Sequence, residues 1–482
     1  MAKKRISYLS KKDNRKSDNK EGIPTTHVPL CAMGEVIKEK DLFAPIHQLV
    51  TIPQKSIEYT PTDKLVFATL SITAGGETVY DVNTTVRPNK PLLVAFGDEK
   101  CADQSVIQQT LNSATEENVN QLEEAITQMF KENNNITLSL DENQISQDAL
   151  TIDIDLSPLP ASKASEGSKK GYVAKKKKQY TRQLARVLAP STSEILSQSL
   201  YYGNTVSCSV LKEMVYKMER QLEVETKAKR QHLQLRLDAG FGTDSNINFS
   251  LWRGYNILAK VYSQKRAKAL AKSVKEWVAV PSSADNTQRE AGFVQNPHRY
   301  CRKTVQVAVR TPTKKGGYSY SALVTTSINA TLEQIVTDYD KRGGVPESTF
   351  CQDYQGIAVR KRRKGGFTAQ KVLVLLSQLA HNLMIWMKSW LNDALEASLF
   401  TGEKEPTKTA KKEIALAQKT IQQRGIKRFI RQLLTLSGKV VFNQQKVVCI
   451  FLNPLYPLIN RIRTAFEAFL KPYKITVLLD EN

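Results

Sequence analysis

Residues 231–246, QHLQLRLDAGFGTDSN, are the stretch from which the fold is read. Leu233, Leu235 and Leu237 alternate with Gln234, Arg236 and Asp238, the two-residue period of a β-strand. The strand ends on a carboxylate, Asp238, and runs into a glycine-rich turn at Ala239-Gly240. Thr243 or Asp244 is placed to cap a following helix. A carboxylate at a strand end beside a tight turn suits a metal ligand. It also suits a plain helix-capping turn, so the neighbouring sequence has to decide.

Upstream, residues 149–156 read ALTIDIDL. Leu150, Ile152, Ile154 and Leu156 share one face of a strand; Thr151, Asp153 and Asp155 share the other. Acids weaken strands and resist burial. Two on one face call for compensation, by a divalent cation or by solvent at a sheet edge. Residues 183–189 and 194–202 predict a second and a third strand, and Gly203-Asn204 a turn. Residues 211–230 predict an amphipathic helix, with Leu211, Met214, Met218 and Leu222 set against Lys212, Lys217 and Arg220. The strand carrying Asp238 comes next, then a short helix and a strand at 257–261. Strand, strand, strand, helix, strand, helix, strand, with acids on the first and fourth strands, is similar to the RNase H-like order. The expected fold class is therefore α/β with an RNase H-like mixed sheet.

Further out, residues 264–330 predict a β-rich insertion, with strands at 304–310 and 318–326 joined by a Pro-Thr-Lys-Lys-Gly-Gly turn. A helix at 331–342 is expected to break at Gly343-Gly344-Val345-Pro346, with Glu347 opening the next helical stretch. A basic run, VRKRRK at 359–364, precedes a buried helix at 370–391. Ahead of the sheet lie a basic tail at 1–22 and a helical domain at 23–140, with helices at 33–50, 63–74, 101–112 and 116–131. That domain is a candidate for recognising DNA ends. After the catalytic region at 141–400, residues 401–482 predict a mostly helical C-terminal region.

The chain has 482 residues, 41% hydrophobic, with a formal net charge of +23. Its length implies more than one domain. Its charge implies a polyanionic partner, nucleic acid before an anionic membrane. The six scattered cysteines form no Cys-x-x-Cys pair, which argues against a structural zinc or a disulfide framework and fits a reducing cytoplasm. The most apolar run, 372–387, is interrupted by Gln378, His381 and Asn382 and is shorter than the ~20 residues of a membrane span.

Three segments together resemble the bacterial insertion-sequence DDE transposases that carry the Tyr/Arg/Glu/Lys signature: DIDLSPLP around Asp155, LRLDAGFGTDSNI around Asp238 and YDKRGGVPESTFCQDYQGI around Glu347. The resemblance covers about 145–395, and the β-rich stretch falls where that family carries its insertion. It implies that Asp155, Asp238 and Glu347 are catalytic and bind two Mg²⁺ ions, with Mn²⁺ able to substitute. Asp153 is the alternative first ligand; Ser157, following Asp155, favours Asp155. It implies that Tyr339 and Arg342 contact phosphates. Lys175, Lys176, Arg360, Lys361, Arg362 and Arg363, from the two basic runs, are further DNA-binding candidates. Two features depart from the family pattern: four residues separate Arg342 from Glu347 where three are usual, and Tyr354 stands where the signature Lys would fall. The implied function is cut-and-paste transposition by a homodimer acting on double-stranded DNA, namely terminal inverted repeats and target, in the bacterial cytoplasm. A hairpin intermediate at the transposon end would need an aromatic stacking partner, for which Trp277 is the candidate. The readings from other classes are a non-catalytic, transposase-derived DNA-binding protein and a different RNase H-like nuclease.

Overall fold

The computed structural model describes residues 22–480 apart from 56–57, 137–148, 172–178, 282–287 and 401–406; the side chains of 344–348 are also outside the description. The basic tail thus lies outside the described residues. Five strands form the centre of a large mixed sheet: β1 (Leu150–Pro160), β2 (Tyr180–Ala189), β3 (Glu194–Tyr202), β4 (Leu233–Leu237) and β5 (Asn256–Lys260). They lie in the order β3-β2-β1-β4-β5. β1 pairs antiparallel with β2, and β2 with β3. β1 pairs parallel with β4, and β4 with β5. The parallel neighbours need crossovers, which helices α1 (Ser207–Leu222) and α2 (Asp244–Arg253) supply.

The region after β5 is β-rich as expected, and it begins with a helix, Gln264–Ala271. Its strands do not fold apart. β6 (Val278–Val280), β7 (Arg289–Phe293), β8 (Val305–Pro312) and β9 (Tyr318–Thr325) continue the same sheet, with β9 antiparallel to β5 and the others following in reverse chain order.

The pleat gives the sheet two different faces. Ile152, Ile154, Leu235, Leu237 and Ile257 point into the main core with Leu211 and Met214 of α1 and Ile247 of α2. Leu258 and Leu323 point the other way, against Ile335, Val336 and Tyr339 of α3 (Leu332–Gln352). Thr331 caps α3, accepting from the Gln334 amide while Gln334 accepts from the Thr331 amide. The expected break at 343–346 does not occur; α3 is continuous through it. A proline inside a helix costs about 3 kcal/mol. Here buried Ile335 and Val336 before the Gly-Gly-Val-Pro stretch and buried Phe350 after it hold the two halves in line. A wider π-turn at Asp353–Ile357 follows.

The expected buried helix at 370–391 is longer, α4 (Phe367–Ala397), and it is the hub of the chain. It packs on β3, on the N-terminal helices Pro61–Thr73 and Glu116–Asn133, and on the C-terminal helices Lys408–Gln422 and Ile459–Leu470. Its polar side chains are not spectators in that core. Asn382 donates to the Ile195 carbonyl and accepts from the Ile195 amide, both at 2.9 Å, and Trp386 donates to Glu194 at 2.8 Å. These bonds occupy the outer edge of β3, which would otherwise present unpaired backbone groups.

The N-terminal region is helical as expected, although the helix expected at 33–50 is two, Val28–Glu39 and Ala44–Leu49. The strand Ile23–Thr25 pairs with Gly438–Asn443, the first strand of the C-terminal hairpin, so the two ends of the described chain share one small sheet. No helix among the described residues is long and apolar enough to cross a membrane.

Candidate active site

Strand register aligns the charged residues of one sheet face in a row. On β1, Asp155 lies opposite Arg186 of β2. Ile154 pairs with Leu237, so Asp238, one residue past β4, comes level with Asp155. Leu237 pairs with Ala259, which brings Lys260 at the end of β5 level with Asp238. Helix α3 crosses this row. Arg342 Nη2 lies 3.1 Å from Asp155 Oδ1 and 3.9 Å from Asp238 Oδ2, and donates to the Ile154 carbonyl at 3.1 Å. The two carboxylates therefore converge on one guanidinium nitrogen. Burial raises the proton affinity of Asp238, against the pull of Arg342. Burial works against the charge of Arg342, but Asp155 and Asp238 outweigh it and hold the guanidinium above its ordinary value. Arg342 Nε is buried with no hydrogen-bond partner among the described residues.

The turn after β4 keeps the chain close to this row. The Phe241 amide donates to Asp238 Oδ1 at 3.2 Å, and the Tyr262 amide to the Gly242 carbonyl at 2.9 Å. A Cβ on Gly242 would fall 1.8 Å from the Lys260 carbonyl oxygen, so only glycine permits that approach. Thr243 is the helix cap; Asp244 is the first residue of α2 and pairs with Arg266.

Asp153 occupies a different environment. Its carboxylate is fully buried and accepts two bonds from Arg236, Nε at 2.7 Å and Nη2 at 2.6 Å. Arg236 Nη1 donates onward to the Asp338 carbonyl of α3 at 2.7 Å. Asp155, two residues on, keeps about a fifth of its side chain exposed. The open side of the row is therefore lined by Asp155 and Asp238, with Asp153 engaged behind them.

Glu347 lies on α3, about a turn and a half beyond Arg342; its side chain is outside the description. Tyr339 is half-buried one turn before Arg342, and burial raises its hydroxyl. Tyr354 meets β1 just past Asp155: its hydroxyl and Ser157 Oγ are 2.7 Å apart, and the Arg360 guanidinium lies over its ring at 3.6 Å. Lys175 and Lys176 lie outside the described residues.

The second basic run divides. Arg360 and Arg363 are exposed, and Lys361 pairs with Glu77. Arg362 corrects the expectation of a phosphate contact, because it is buried. Its guanidinium donates to the carbonyls of Gly76, Glu77 and Ile357, and burial lowers its pKa to about 10. It ties the N-terminal helical region to the segment after α3. Arg362→Ala is expected to lower stability by about 2 kcal/mol, since charged hydrogen bonds are lost and buried carbonyls left without donors. A reduced urea midpoint with unchanged duplex affinity is the result to look for. Trp277 is half-buried, with Arg310 over its ring at 4.4 Å.

Four further residues join this region without a local sequence signal: Asp353, Arg186, His381 and Lys260. Asp353 is fully buried, 2.6 Å from Arg186 Nη2 and 2.7 Å from His381 Nδ1, and His381 Nε2 faces the Ser193 carbonyl at 2.8 Å. Lys260 belongs to the row itself. Strand register alone could have found Lys260 and Arg186; Asp353 and His381 meet only through the packing of α4.

Among the described residues no group of three or more His, Cys, Asp or Glu is placed to hold a metal ion. The described donors are two carboxylates that share a single arginine, which leaves them a net negative charge. In charge and in oxygen-only chemistry they suit a hard divalent ion.

No protein-family model matches the chain, and no curated protein matches it. Among solved structures it is similar to the cryo-EM structure of the piggyBac transposase synaptic complex with hairpin DNA. The alignment covers 85% of this chain and 86% of that one, at 15% identity and a TM-score of 0.42. A likeness of that degree leaves function to be argued from the residues.

Proposed function

We propose that this chain is a DNA transposase that binds the terminal inverted repeats of its element as a dimer, cuts them and joins the freed ends to target DNA. The observation that carries the reading is the convergence of Asp155 and Asp238, on adjacent parallel strands, upon Arg342 of the helix that also bears Glu347. The strand order β3-β2-β1-β4-β5, with acids on the first strand and at the end of the fourth, supports an RNase H-like catalytic core.

In this reading Asp155, Asp238 and Glu347 hold Mg²⁺, with Mn²⁺ as substitute. A bound metal pair supplies charge neutralisation and an activated water or 3′-hydroxyl for in-line displacement at phosphorus. Arg342 offsets one of the two carboxylate charges before DNA arrives and donates to a phosphate afterwards. Tyr339 and Arg360 flank the strand path. Asp153, through Arg236, fixes the register of β1 against β4 and does not touch substrate.

One reaction tests the proposal. The purified chain is incubated with Mg²⁺ and a plasmid carrying the element's two ends. Double-strand excision with joined products is expected, and its loss in Asp238→Asn. Binding without any cutting would sink the catalytic claim and leave a non-catalytic DNA-binding protein, a reading favoured by Tyr354 at the position of the signature lysine. Nicking without joined products would leave a different metal-dependent nuclease.

A further inference from the structure

We propose that Lys260 is a phosphate-binding residue of this site, its ammonium receiving a non-bridging oxygen of the DNA strand that crosses Asp155 and Asp238. The inference rests on the nucleic-acid reading given above and adds to it a residue that no sequence motif marks.

Lys260 is level with Asp238 and pairs on its other side with Leu323 of β9. Lateral neighbours in a sheet project from the same face. Lys260 therefore leaves the sheet beside the two carboxylates, and its neighbour two residues back, Leu258, lies under α3. The row reads Arg186, Asp155, Asp238, Lys260: cation, anion, anion, cation.

Four cations nearby are already engaged by carboxylates. Arg186 is held by Asp353, Arg236 by Asp153, Arg289 by Asp340, and Arg342 by Asp155. Lys260 is half-buried and makes no side-chain hydrogen bond or ion pair among the described residues. Burial lowers its proton affinity, while Asp238 and Asp340 act to keep it charged. Lysines are rarely withdrawn from water without a partner, and an unpaired ammonium costs stability there. A position that tolerates this cost is one where a ligand supplies the missing anion.

A phosphodiester approaching two carboxylates is repelled unless cations flank its path. Arg186 is committed to Asp353 at one end of the row, and Lys260 is the uncommitted cation at the other. A lysine ammonium binds a phosphate oxygen as a compact point charge with three donors.

The test uses the full chain and a labelled DNA duplex of mixed sequence, with affinity measured across a salt series. Lys260→Met keeps the length of the side chain and removes the charge. It is expected to weaken binding about fivefold to tenfold and to reduce the slope of log affinity against log salt by about 1. Its melting temperature should stay level or rise, because an unpaired charge is gone. Lys260→Arg should restore the slope. An unchanged slope and affinity in Lys260→Met overturns the inference, as does a lower melting temperature with the slope intact, the mark of a structural lysine. If the unaltered chain shows no salt-dependent duplex binding, the nucleic-acid reading itself falls and takes the inference with it.

Discussion

Asp155→Asn and Asp238→Asn are each expected to reduce metal-dependent DNA cleavage by about 10³-fold or more in chains that remain folded, whereas Asp153→Asn is expected to damage the fold itself. A carboxylate that holds a metal beside the reacting phosphate contributes several kcal/mol to the transition state, and each 1.36 kcal/mol is tenfold in rate. Neither open acid carries much of the fold. Asp155 shares Arg342 with Asp238, so removing one charge leaves the guanidinium a second partner. For Asp238 the sign is favourable. Its folded proton affinity is raised by burial, so the cost of its charge is absent below the unfolded value near pH 4 and grows as pH rises through the folded one. Asp238→Asn should then melt at the same or a higher temperature at neutral pH, the usual exchange of function for stability at such sites. Burial raises the proton affinity of Asp153 as well, against the pull of Arg236, but Asp153 is the sole carboxylate on its arginine. Its loss strands the buried guanidinium of Arg236, at a cost of about 3–5 kcal/mol. Urea denaturation and the excision assay on the three variants check this together. An active Asp155→Asn beside a folded, inactive Asp153→Asn would reverse the assignment.

That contrast marks where sequence reading ran out. The alternation of Leu233, Leu235 and Leu237, and of Ile152 and Ile154, carried the sheet, because a two-residue period leaves no doubt which side chains face the core. It could not separate Asp153 from Asp155, which share a face. What separates them is Arg236 on a strand far away in sequence, aligned with Asp153 by parallel pairing. Local signals also misled at 343–346. Two glycines and a proline read as a helix end, and tertiary packing on both sides kept α3 whole. Arg362 looked like its neighbours in the run VRKRRK, yet its partners are carbonyls of the N-terminal region. Composition records how many charges a segment has and is silent on which of them the fold has already used.

The same reasoning gives an equally large expected loss of stability to Asp353, a residue with no motif around it. Its carboxylate sits fully buried between Arg186 and His381. Burial alone would raise its proton affinity, but the contacts with His381 and Arg186 outweigh burial and bring it below the ordinary value. Asp353→Asn is therefore expected to cost about 3–5 kcal/mol at neutral pH, chiefly because Arg186 loses its buried partner. The sign of the pH dependence follows. A carboxylate with a depressed folded value contributes its full stabilisation above the unfolded value near pH 4, and loses it as pH falls through the folded one. Urea midpoints for the unaltered chain and Asp353→Asn should thus differ most at neutral pH and converge in acid below pH 4. A gap that stays constant down to pH 3 would show that shape, and not charge, is what Asp353 contributes. Function should suffer beyond stability, because Arg186 lies directly opposite Asp155. Freed from Asp353, its guanidinium becomes a second internal cation for the carboxylate row. Mn²⁺ affinity, followed by the loss of the free-ion electron paramagnetic resonance signal in a chain kept folded by osmolyte, should fall in Asp353→Asn and recover in Asp353→Asn with Arg186→Met. Recovery of stability without recovery of Mn²⁺ affinity would separate the two roles and refute the electrostatic link between them.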